Sequence, residues 1–394
     1  MKQEDTFDIV VIGAGIQGAG VAQAAAACGF KTLVIEKFPH AGMGTSCKSS
    51  KLIHGGLRYL ESGQFKLVHE CLAERKTLLN NAPDLVKLIP FHIPVYKKNR
   101  RPAWLIGLGL SIYSVFSFKP FSILNRKHWQ TLDGLNQTNL KAVFRYYDAQ
   151  TDDRLLTQSV ISSAQAHGAK IKYCAHFKQS HYQDGLHRLS YIQDSITHSV
   201  ASRFIINCSG PWLKQVQSKI SPTLKLPDIE LVAGTHITVN KTLEKGGYYI
   251  EANDGRAVFF LPWKDSTTLI GTTEKSHSGT ADNVTPSEEE ILYLLSNYNQ
   301  HFAQNIKRSD IVDTFSGLRV LPGNNDSAFK KSRDSLIIKS HDTPGLITIV
   351  GGKLTAYRAS SEEIIGLVKK TLKPGSTKKQ CDTRKILLPS PPHI

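Results

Sequence analysis

The 394-residue sequence has few cysteines, and they lack the spacings that would organise a fold. The six cysteines, at positions 28, 47, 71, 174, 208 and 381, form no CxxC pair and no Cys/His cluster with zinc spacing. This argues against a disulfide framework or a zinc site and predicts reduced, mostly buried thiols in a cytosolic protein with no metal. The first hydrophobic run follows the acidic start KQEDTFD, so we expect no signal peptide.

Long apolar runs, internal repeats and aromatic-interleaved basic runs are also missing. The uncharged run at 103–118 is shorter than the ~20 apolar residues that a spanning helix needs. The formal charge of +16 favours anionic partners such as phosphorylated metabolites or acidic lipid, although a solvated basic surface explains it equally well. Because the basic residues are dispersed, we expect no nucleic-acid binding, and an RNA-binding protein is only the non-enzymatic alternative.

The N-terminal segment carries a G-x-G-x-x-G fingerprint between two apolar strands. The strand IVVI at 9–12 leads into Gly13, Gly15 and Gly18, and a second strand ends at Glu36. Gly13 permits the tight turn, Gly15 lets the backbone approach a pyrophosphate, and Gly18 allows close packing of helix on strand. Glu36 can accept hydrogen bonds from both ribose hydroxyls and would repel a 2′-phosphate. The pattern predicts a dinucleotide site for FAD or NAD rather than NADP.

Two later segments favour FAD. FIINCSGPW at 204–212 is a short strand ending in a small-residue turn at Ser209 and Gly210, where an ADP moiety could lie. GLITIVGGKLTAYRAS at 345–360 reads as strand, Gly351-Gly352 and then a helix starting near Thr355. A helix N-terminus there would stabilise the negative charge that builds on a reduced flavin. We therefore expect a mixed α/β fold in which a discontinuous Rossmann-like FAD domain holds an inserted substrate domain built on an antiparallel sheet.

A family resemblance rests on seven strings in order: GAGIQGAG, TSCKSSKLIHGGLRYLE, NCSGPW, GTHITV, IGTTE, SGLRVL and GGKLTAYR. The sequence resembles the FAD-dependent glycerol-3-phosphate dehydrogenases, which belong to the D-amino-acid-oxidase-like flavoproteins, over roughly residues 5–370. The string SSKLIHGGLRYLE is much more specific than the glycine fingerprint. The family usually continues into a C-terminal helical domain, which we do not expect in this sequence.

The resemblance implies a set of site residues. Those expected to bind the cofactor, besides the glycine fingerprint and Glu36, are Thr45, Ser46, Ser50, Lys51, Leu52, Ser209, Gly210, Gly351, Gly352, Leu354 and Thr355. Arg58, Tyr59 and Arg333 are expected to bind the substrate. Lys51 could instead be solvated, and Arg58 could be a surface residue. His54 either hydrogen-bonds backbone or attaches the flavin covalently.

Oxidation of a secondary alcohol requires a hydride acceptor and a base for the hydroxyl proton. The resemblance places His236, Arg319 and Lys353 at the catalytic site. His236 has the right intrinsic pKa for a base, and Arg319 could polarise the oxygen that becomes a carbonyl. His236 could also be a satisfied core histidine and Arg319 an ion-pair partner, and which residue acts as base is open. Val320 stands where the family has proline, which predicts a looser segment around Arg319.

The motifs predict the organisation of the chain. Residues 1–80, 145–215 and 335–372 are assigned to the FAD domain, 85–144 and 216–334 to the substrate domain, and 373–394 to a polar tail. TPSEEEILYLLSNYNQHF predicts a helix with Thr285 as N-cap and Pro286 at its first position.

The expected protein oxidises sn-glycerol 3-phosphate to dihydroxyacetone phosphate and passes the electrons to a membrane quinone. An oxidase acting on the same substrate and an amine oxidase of the same fold are the alternatives. Arg100, Arg101 and Lys119 flank the uncharged run. Residues 100–119 are therefore predicted to bind an anionic lipid surface as an interfacial helix, on the inner face of the cell membrane, with a buried helix as the alternative. A homodimer is possible.

Overall fold

The computed structural model describes residues 5–323, 335–372 and 382–390. The helices in this part of the chain are α1 Ile16–Ala27, α2 Phe65–Asn81, α3 Ala103–Ser117, α4 Asp153–Ala166, α5 Leu213–Gln217, α6 Glu288–His301 and α7 Tyr357–Thr371. The strands are β1 Asp5–Ile12, β2 Thr32–Ile35, β3 Leu52–Ile53, β4 Val86–Tyr96, β5 Ser122–Ile123, β6 Leu140–Thr151, β7 Lys170–Lys172, β8 His176–Gln183, β9 Leu186–Gln193, β10 Ile196–Asn207, β11 Ile220–Ser221, β12 Ile229–Val239, β13 Gly247–Glu251, β14 Ala257–Trp263, β15 Thr267–Gly271, β16 Lys275–His277, β17 Ile311–Pro322, β18 Leu336–Lys339 and β19 Leu346–Val350.

The first sheet is mostly parallel at its centre. Its order is β11-β8-β9-β10-β1-β2-β7, and β19 joins it in parallel beside β10. The strands β1 and β2 pair in parallel and bury every residue from Ile9 to Ile12 and from Thr32 to Ile35. Such continuous apolar runs are expected where a sheet is covered on both faces. Helix α1 packs against α4 and α7 over this sheet.

Close contact between α1 and α7 depends on a glycine in α1. A Cβ atom at Gly20 would lie 2.5 Å from the Ser361 hydroxyl and 2.6 Å from the Tyr357 ring. Both distances are shorter than a van der Waals contact, so only glycine fits at this crossing. The C-terminal helix is thereby held against the first one.

The second sheet is mostly antiparallel. Its order is β16-β12-β15-β14-β13-β4-β6-β3, with β17 paired to β12 and β5 to β6. Together the two sheets confirm the mixed α/β fold class, and the domain boundaries remain a prediction. Helix α6 lies beside this sheet and begins later than the sequence suggested. Ser287 is its N-cap, because its hydroxyl accepts from the Glu290 N–H while Glu290 accepts from the Ser287 N–H at 3.1 Å.

The segment 382–390 is attached to the helices of the first sheet. Thr383 donates to the Glu362 carboxylate of α7 at 2.7 Å, and the Leu388 N–H donates to the Asn81 carbonyl at 2.7 Å. The Ser159 hydroxyl of α4 donates to the Pro389 carbonyl. This part of the predicted polar tail therefore connects α2, α4 and α7.

Five cysteines lie in the described residues, and all are free thiols. Cys28, Cys71 and Cys208 are buried, Cys47 is half-buried and Cys174 is exposed. Within the same residues, no helix combines the length and the apolar character needed to cross a membrane.

Candidate functional site

A cavity of about 600 Å³ lies where the carboxyl ends of β1, β2, β10 and β19 meet β12 and β17 of the second sheet. In open α/β sheets this edge is where ligands bind. Its lining contains most of the residues predicted from the sequence: Gly13, Gly15, Glu36, Thr45, Ser46, Ser50, Leu52, Tyr59, Ser209, Gly210, His236, Arg319, Gly351, Gly352, Lys353, Leu354 and Thr355. His54 lines it as well. The fold thus gathers residues from seven separate stretches of sequence into one cavity.

Glycine is needed at the three fingerprint positions for different physical reasons. Gly13 has φ +98°, and a Cβ there would lie 2.8 Å from the Cys208 carbonyl. A Cβ at Gly18, which does not line the cavity, would lie 1.9 Å from the Gly13 carbonyl. The protein itself therefore requires both. A Cβ at Gly15 would meet, among the described residues, only the Ser46 hydroxyl at 3.2 Å, so the space beside Gly15 is left for a ligand.

The N-terminus of α1 faces this space. The Ile16 N–H donates to the Ser46 hydroxyl at 2.9 Å, which fixes Ser46 at the helix end. Thr45 is fixed separately, because its hydroxyl donates to the Leu318 carbonyl of β17 at 2.7 Å. A helix N-terminus lined by hydroxyl groups is suited to a pyrophosphate.

Glu36 sits at the end of β2 and is only 5% exposed. Its carboxylate accepts from the Ala14 N–H at 2.5 Å and from the Phe38 N–H at 2.9 Å. Burial raises the pKa of this carboxyl group, while the two backbone donors oppose that shift. The carboxylate is held in one orientation on the cavity wall, which fits the acceptor role predicted for a ribose.

Residues from both sheets close the same end of the cavity. The Asp282 carboxylate, in the loop before α6, contacts the Lys37 ammonium at 2.8 Å and accepts from the Trp212 indole N–H at 2.9 Å. Lys37 lies 3.7 Å from the Trp212 ring centroid, and Phe38 packs edge-on against the same ring. We call Lys37, Trp212 and Asp282 the Asp282 clasp. Only Trp212 stands within a motif, and no sequence pattern predicts a role for Lys37 or Asp282.

His236 lies at the other end of the cavity and is 3% exposed. Its Nε2 is 2.9 Å from the Ser50 hydroxyl, and its ring stacks on Phe315 at 4.9 Å between centroids. A Cβ at Gly271 would lie 2.1 Å from the ring, so the imidazole fills the place of a side chain there. Burial, helped by the nearby charges of Arg319 and Lys51, lowers the pKa of His236 to about 3.

Arg319 lines the cavity from β17 and is also an ion-pair partner, and its catalytic role stays a prediction. Its Nη1 donates to the Glu274 carboxylate at 2.7 Å, and its Nη2 is 3.4 Å from the Thr272 hydroxyl. A Cβ at Gly234 would lie 2.5 Å from the guanidinium, so the neighbouring strand leaves room for it. The looser segment predicted from Val320 is wrong, because Val320 is buried and paired in register with Leu231 of β12.

Tyr59 lies between two cations of the predicted substrate site. The Lys353 ammonium is 4.3 Å from the Tyr59 ring centroid, and the Arg58 guanidinium is 5.7 Å from it. Lys353 is 8% exposed and lines the main cavity. Arg58 instead lines a smaller adjoining cavity of about 60 Å³, which shares Ser50, Leu52, His54 and Thr272 with the large one.

One further predicted residue of the described part of the chain, Lys51, is not brought into the cavity lining. Lys51 is buried, and its ammonium contacts the Asp153 carboxylate at 2.5 Å and the Cys47 carbonyl at 2.6 Å. It lies 5.1 Å from the Phe315 ring, behind the histidine, so it is not solvated. Arg333 lies outside the described residues. The sequence motifs predict no site role for Asp153 or Phe315.

Comparison with known proteins gives the same picture. The profile described as FAD dependent oxidoreductase matches residues 8–358. Glycerol-3-phosphate dehydrogenase from Pseudomonas aeruginosa is 35% identical over 368 residues, which cover 92% of this chain and 71% of the relative. D-erythritol 1-phosphate dehydrogenase from Brucella abortus is 33% identical over 381 residues, covering 92% of this chain and 73% of the relative.

A solved structure supports the cofactor assignment. The glycerol-3-phosphate dehydrogenase from Bacillus halodurans in complex with FAD superposes with a TM-score of 0.78 and 26% identity, covering 97% of this chain and 68% of that one. The prediction of FAD is thereby confirmed. The residues present fit this group, since the open space at Gly15, the α1 terminus and the Glu36 acceptor occupy the places that an ADP moiety needs.

Proposed function

Because the chain belongs to the FAD-dependent oxidoreductase family, and within it to the glycerol-3-phosphate dehydrogenase group, we propose that it oxidises sn-glycerol 3-phosphate to dihydroxyacetone phosphate. Quinone is the proposed electron acceptor. The observation that carries the proposal is the placement of a buried neutral histidine, an arginine and a lysine at one end of an FAD-sized cavity. FAD, when bound, supplies the acceptor for the hydride that leaves the substrate carbon.

His236 is the proposed base. With a pKa of about 3 in the protein alone, its imidazole is neutral at pH 7 and can accept the hydroxyl proton. A base with so low a pKa holds a proton weakly, whereas efficient proton transfer needs a pKa nearer the working pH. A dianionic substrate arriving near Arg319 would offset the positive charges that contribute to the low pKa. Substrate binding would therefore prepare the base.

Arg319 is positioned to polarise the substrate oxygen. Its guanidinium is anchored to Glu274 through Nη1, and it lines the same cavity as His236. A fixed donor aimed at an oxygen that gains carbonyl character stabilises the transition state more than the ground state. We assign the phosphate to Arg58 and Lys353, the two cations beside Tyr59, and leave Arg333 as a further candidate.

A second candidate substrate comes from the relatives. One of them is a D-erythritol 1-phosphate dehydrogenase at 33% identity, nearly as similar as the glycerol-3-phosphate dehydrogenases. Both names describe a polyol phosphate. The cavity residues named above recognise an alcohol and a phosphate, and they do not by themselves fix the number of carbons between them.

Anaerobic reduction of the bound flavin tests the proposal directly. Glycerol 3-phosphate should bleach the flavin absorbance, and glycerol and sarcosine, which lack the phosphate, should not. Erythritol phosphate added in parallel compares the two polyol phosphates. Reoxidation by a quinone analogue faster than by oxygen distinguishes a dehydrogenase from an oxidase. Reduction by sarcosine alone would overturn the proposal in favour of amine oxidation.

Peripheral binding to the inner face of the cell membrane is the second part of the proposal, and α3 supports it. Trp104, Leu108, Val115 and Phe118 are 70%, 53%, 70% and 87% exposed. Trp104, Leu108 and Val115, spaced by four and seven residues, lie on one side of the helix, and Phe118 follows at its C-cap. Only Leu110 and Tyr113 are buried, so α3 is not an ordinary core helix. An exposed apolar helical face is typical of an interfacial helix.

Fewer of the flanking charges are available to contact lipid than the sequence suggested. Arg101 is engaged by two carboxylates, Glu61 and Glu251, the second at 2.7 Å. Arg100 and Lys119 are exposed and remain candidates for contact with anionic lipid. Attraction of this kind weakens as salt is added.

Sedimentation with anionic vesicles tests the membrane proposal. Replacing Trp104→Glu together with Leu108→Glu should release the protein while FAD content and dye-linked activity persist. Leu292→Glu with Val312→Glu is a matched control, since these residues are 54% and 58% exposed on α6 and β17. Unchanged vesicle binding by the α3 variant would show that the membrane contact lies elsewhere.

A further inference from the structure

The small cavity beside the main one is walled by two arginines. Arg58 reaches it from the turn Leu57–Ser62, and Arg256 reaches it from the turn that precedes β14. The remaining lining residues are Ser50, Leu52, His54, Ala257, Phe259, Thr272 and Glu274. Since four of these also line the main cavity, the small cavity is an extension of the catalytic end.

The charges of this extension favour an anion. Among the described residues, Glu274 is the only carboxylate in its lining, and Glu274 is already paired with Arg319 at 2.7 Å. Two arginines that are far apart in the sequence, Arg58 and Arg256, therefore both line the small cavity. Lys353, the other cation assigned to the phosphate, lines only the main cavity.

Arg256 is held in a fixed orientation. The Asp254 carboxylate accepts from its Nε at 2.8 Å and contacts its Nη2 at 2.7 Å, so Nη1 is the nitrogen that this carboxylate does not engage. The guanidinium also lies 4.5 Å from the Tyr293 ring centroid. An arginine fixed on two sides loses little conformational freedom when it binds a phosphate.

We propose that the small cavity is the phosphate subsite and that Arg256, together with Arg58, binds the phosphate of the substrate. The inference rests on the proposed function for the identity of that substrate. The proposed subsite places the phosphate beyond Ser50 and Thr272, away from the Glu36 end of the main cavity. The alcohol carbon then lies between the phosphate and His236, whose Nε2 contacts Ser50.

The test compares two variants of the small cavity with a surface control. Arg256→Gln removes one guanidinium. Ala257→Asp instead adds a carboxylate to the same lining and leaves the Arg256 side chain in place. Arg308→Gln is the control, because Arg308 lies in an exposed ion pair with Glu288 at 3.2 Å. All three are measured as FAD-loaded protein.

Both cavity variants should raise the dissociation constant for glycerol 3-phosphate, read from the concentration dependence of anaerobic flavin reduction, at least tenfold. The limiting reduction rate should change less than twofold, because neither residue acts on the reacting carbon. Binding of inorganic phosphate, followed by its effect on the flavin spectrum and on the melting temperature, should weaken by a similar factor. The control should match wild type in every measurement.

The outcomes separate this inference from the proposed function. If the cavity variants bind inorganic phosphate and glycerol 3-phosphate as wild type does, the phosphate lies elsewhere and the inference is wrong while the function stands. If glycerol 3-phosphate fails to reduce the wild-type flavin but the variants lose phosphate binding, the subsite is supported and the proposed substrate is wrong. If the Arg256→Gln protein does not fold, the binding measurements on Ala257→Asp decide whether the small cavity holds the phosphate.

Discussion

The buried neutral histidine predicts a measurable pH dependence of stability. The ordinary pKa of histidine is 6.5, and burial lowers the pKa of His236 to about 3 in the folded protein. As the pH falls below 6.5, the unfolded chain therefore binds the proton first. The contribution of His236 to the free energy of unfolding is fully present above about pH 6.5 and is lost progressively down to about pH 3.

The magnitude follows from the shift. Each unit of difference in pKa corresponds to about 1.4 kcal/mol. A change from pH 8 to pH 5 covers only the part of the His236 titration that lies above pH 5. Over that range, protonation of His236 in the unfolded chain should lower the free energy of unfolding by roughly 2 kcal/mol. Other buried histidines add to the total, since burial also lowers the pKa of His92 to about 4. A comparison of variants is needed to isolate the contribution of His236 to the pH dependence of stability.

The assay is urea unfolding at pH 8 and pH 5, with saturating FAD, of the wild type and of His236→Gln. The difference between the two pH values should be about 2 kcal/mol smaller in the variant, because glutamine does not titrate. His128→Gln is the control, since that side chain is exposed and should leave the difference as in wild type. A variant whose pH dependence equals that of wild type within about 0.5 kcal/mol would refute the buried neutral state.

Three further predictions concern the cofactor and the substrate. Gly15→Val should abolish FAD binding, measured as flavin released on denaturation, while the protein without FAD keeps its melting temperature, because the new Cβ meets only the Ser46 hydroxyl among the described residues; retention of FAD at the wild-type level would contradict the assignment. Arg58→Ala and Lys353→Ala should each raise KM for glycerol 3-phosphate at least tenfold, about 1.4 kcal/mol, and affect a neutral diol much less; equal losses on both substrates would mean that these residues serve the flavin or the fold. Arg319→Ala should lower kcat more than it raises KM, since polarisation matters most as the carbonyl forms, and a pure KM effect would assign it to binding instead.

The sequence could predict the parts of the site that follow from local geometry. Gly13 takes its positive φ in the tight turn and Gly18 packs against the Gly13 carbonyl, so the spacing of these glycines within one strand–turn–helix unit predicts them. Glu36 follows a strand whose partner is β1, and its place at the sheet edge comes from the parallel register. Most of the remaining lining was found through the family resemblance, which carries the long-range arrangement with it.

The missed features are contacts between residues far apart in sequence. Lys51 and Asp153 are 102 positions apart, and neither residue alone indicates that its partner will be buried beside it. Arg256 reaches the small cavity because β14 lies in the second sheet opposite the turn carrying Arg58, which no periodicity reports. On α3 the uncharged run suggested an interfacial helix, but only the fold shows that Leu110 and Tyr113 face inward.

The Asp282 clasp has a kinetic consequence for the cofactor. It joins the loop before α6 to the first sheet over the Glu36 end of the cavity, and its Asp282 and Lys37 side chains are 58% and 29% exposed. An ion pair this close to solvent contributes at most about 1 kcal/mol, so the salt bridge adds little to the cost of opening the clasp. The histidine end, by contrast, is enclosed by buried strands. Exchange of FAD should therefore proceed from the adenosine side, with a rate that rises with ionic strength.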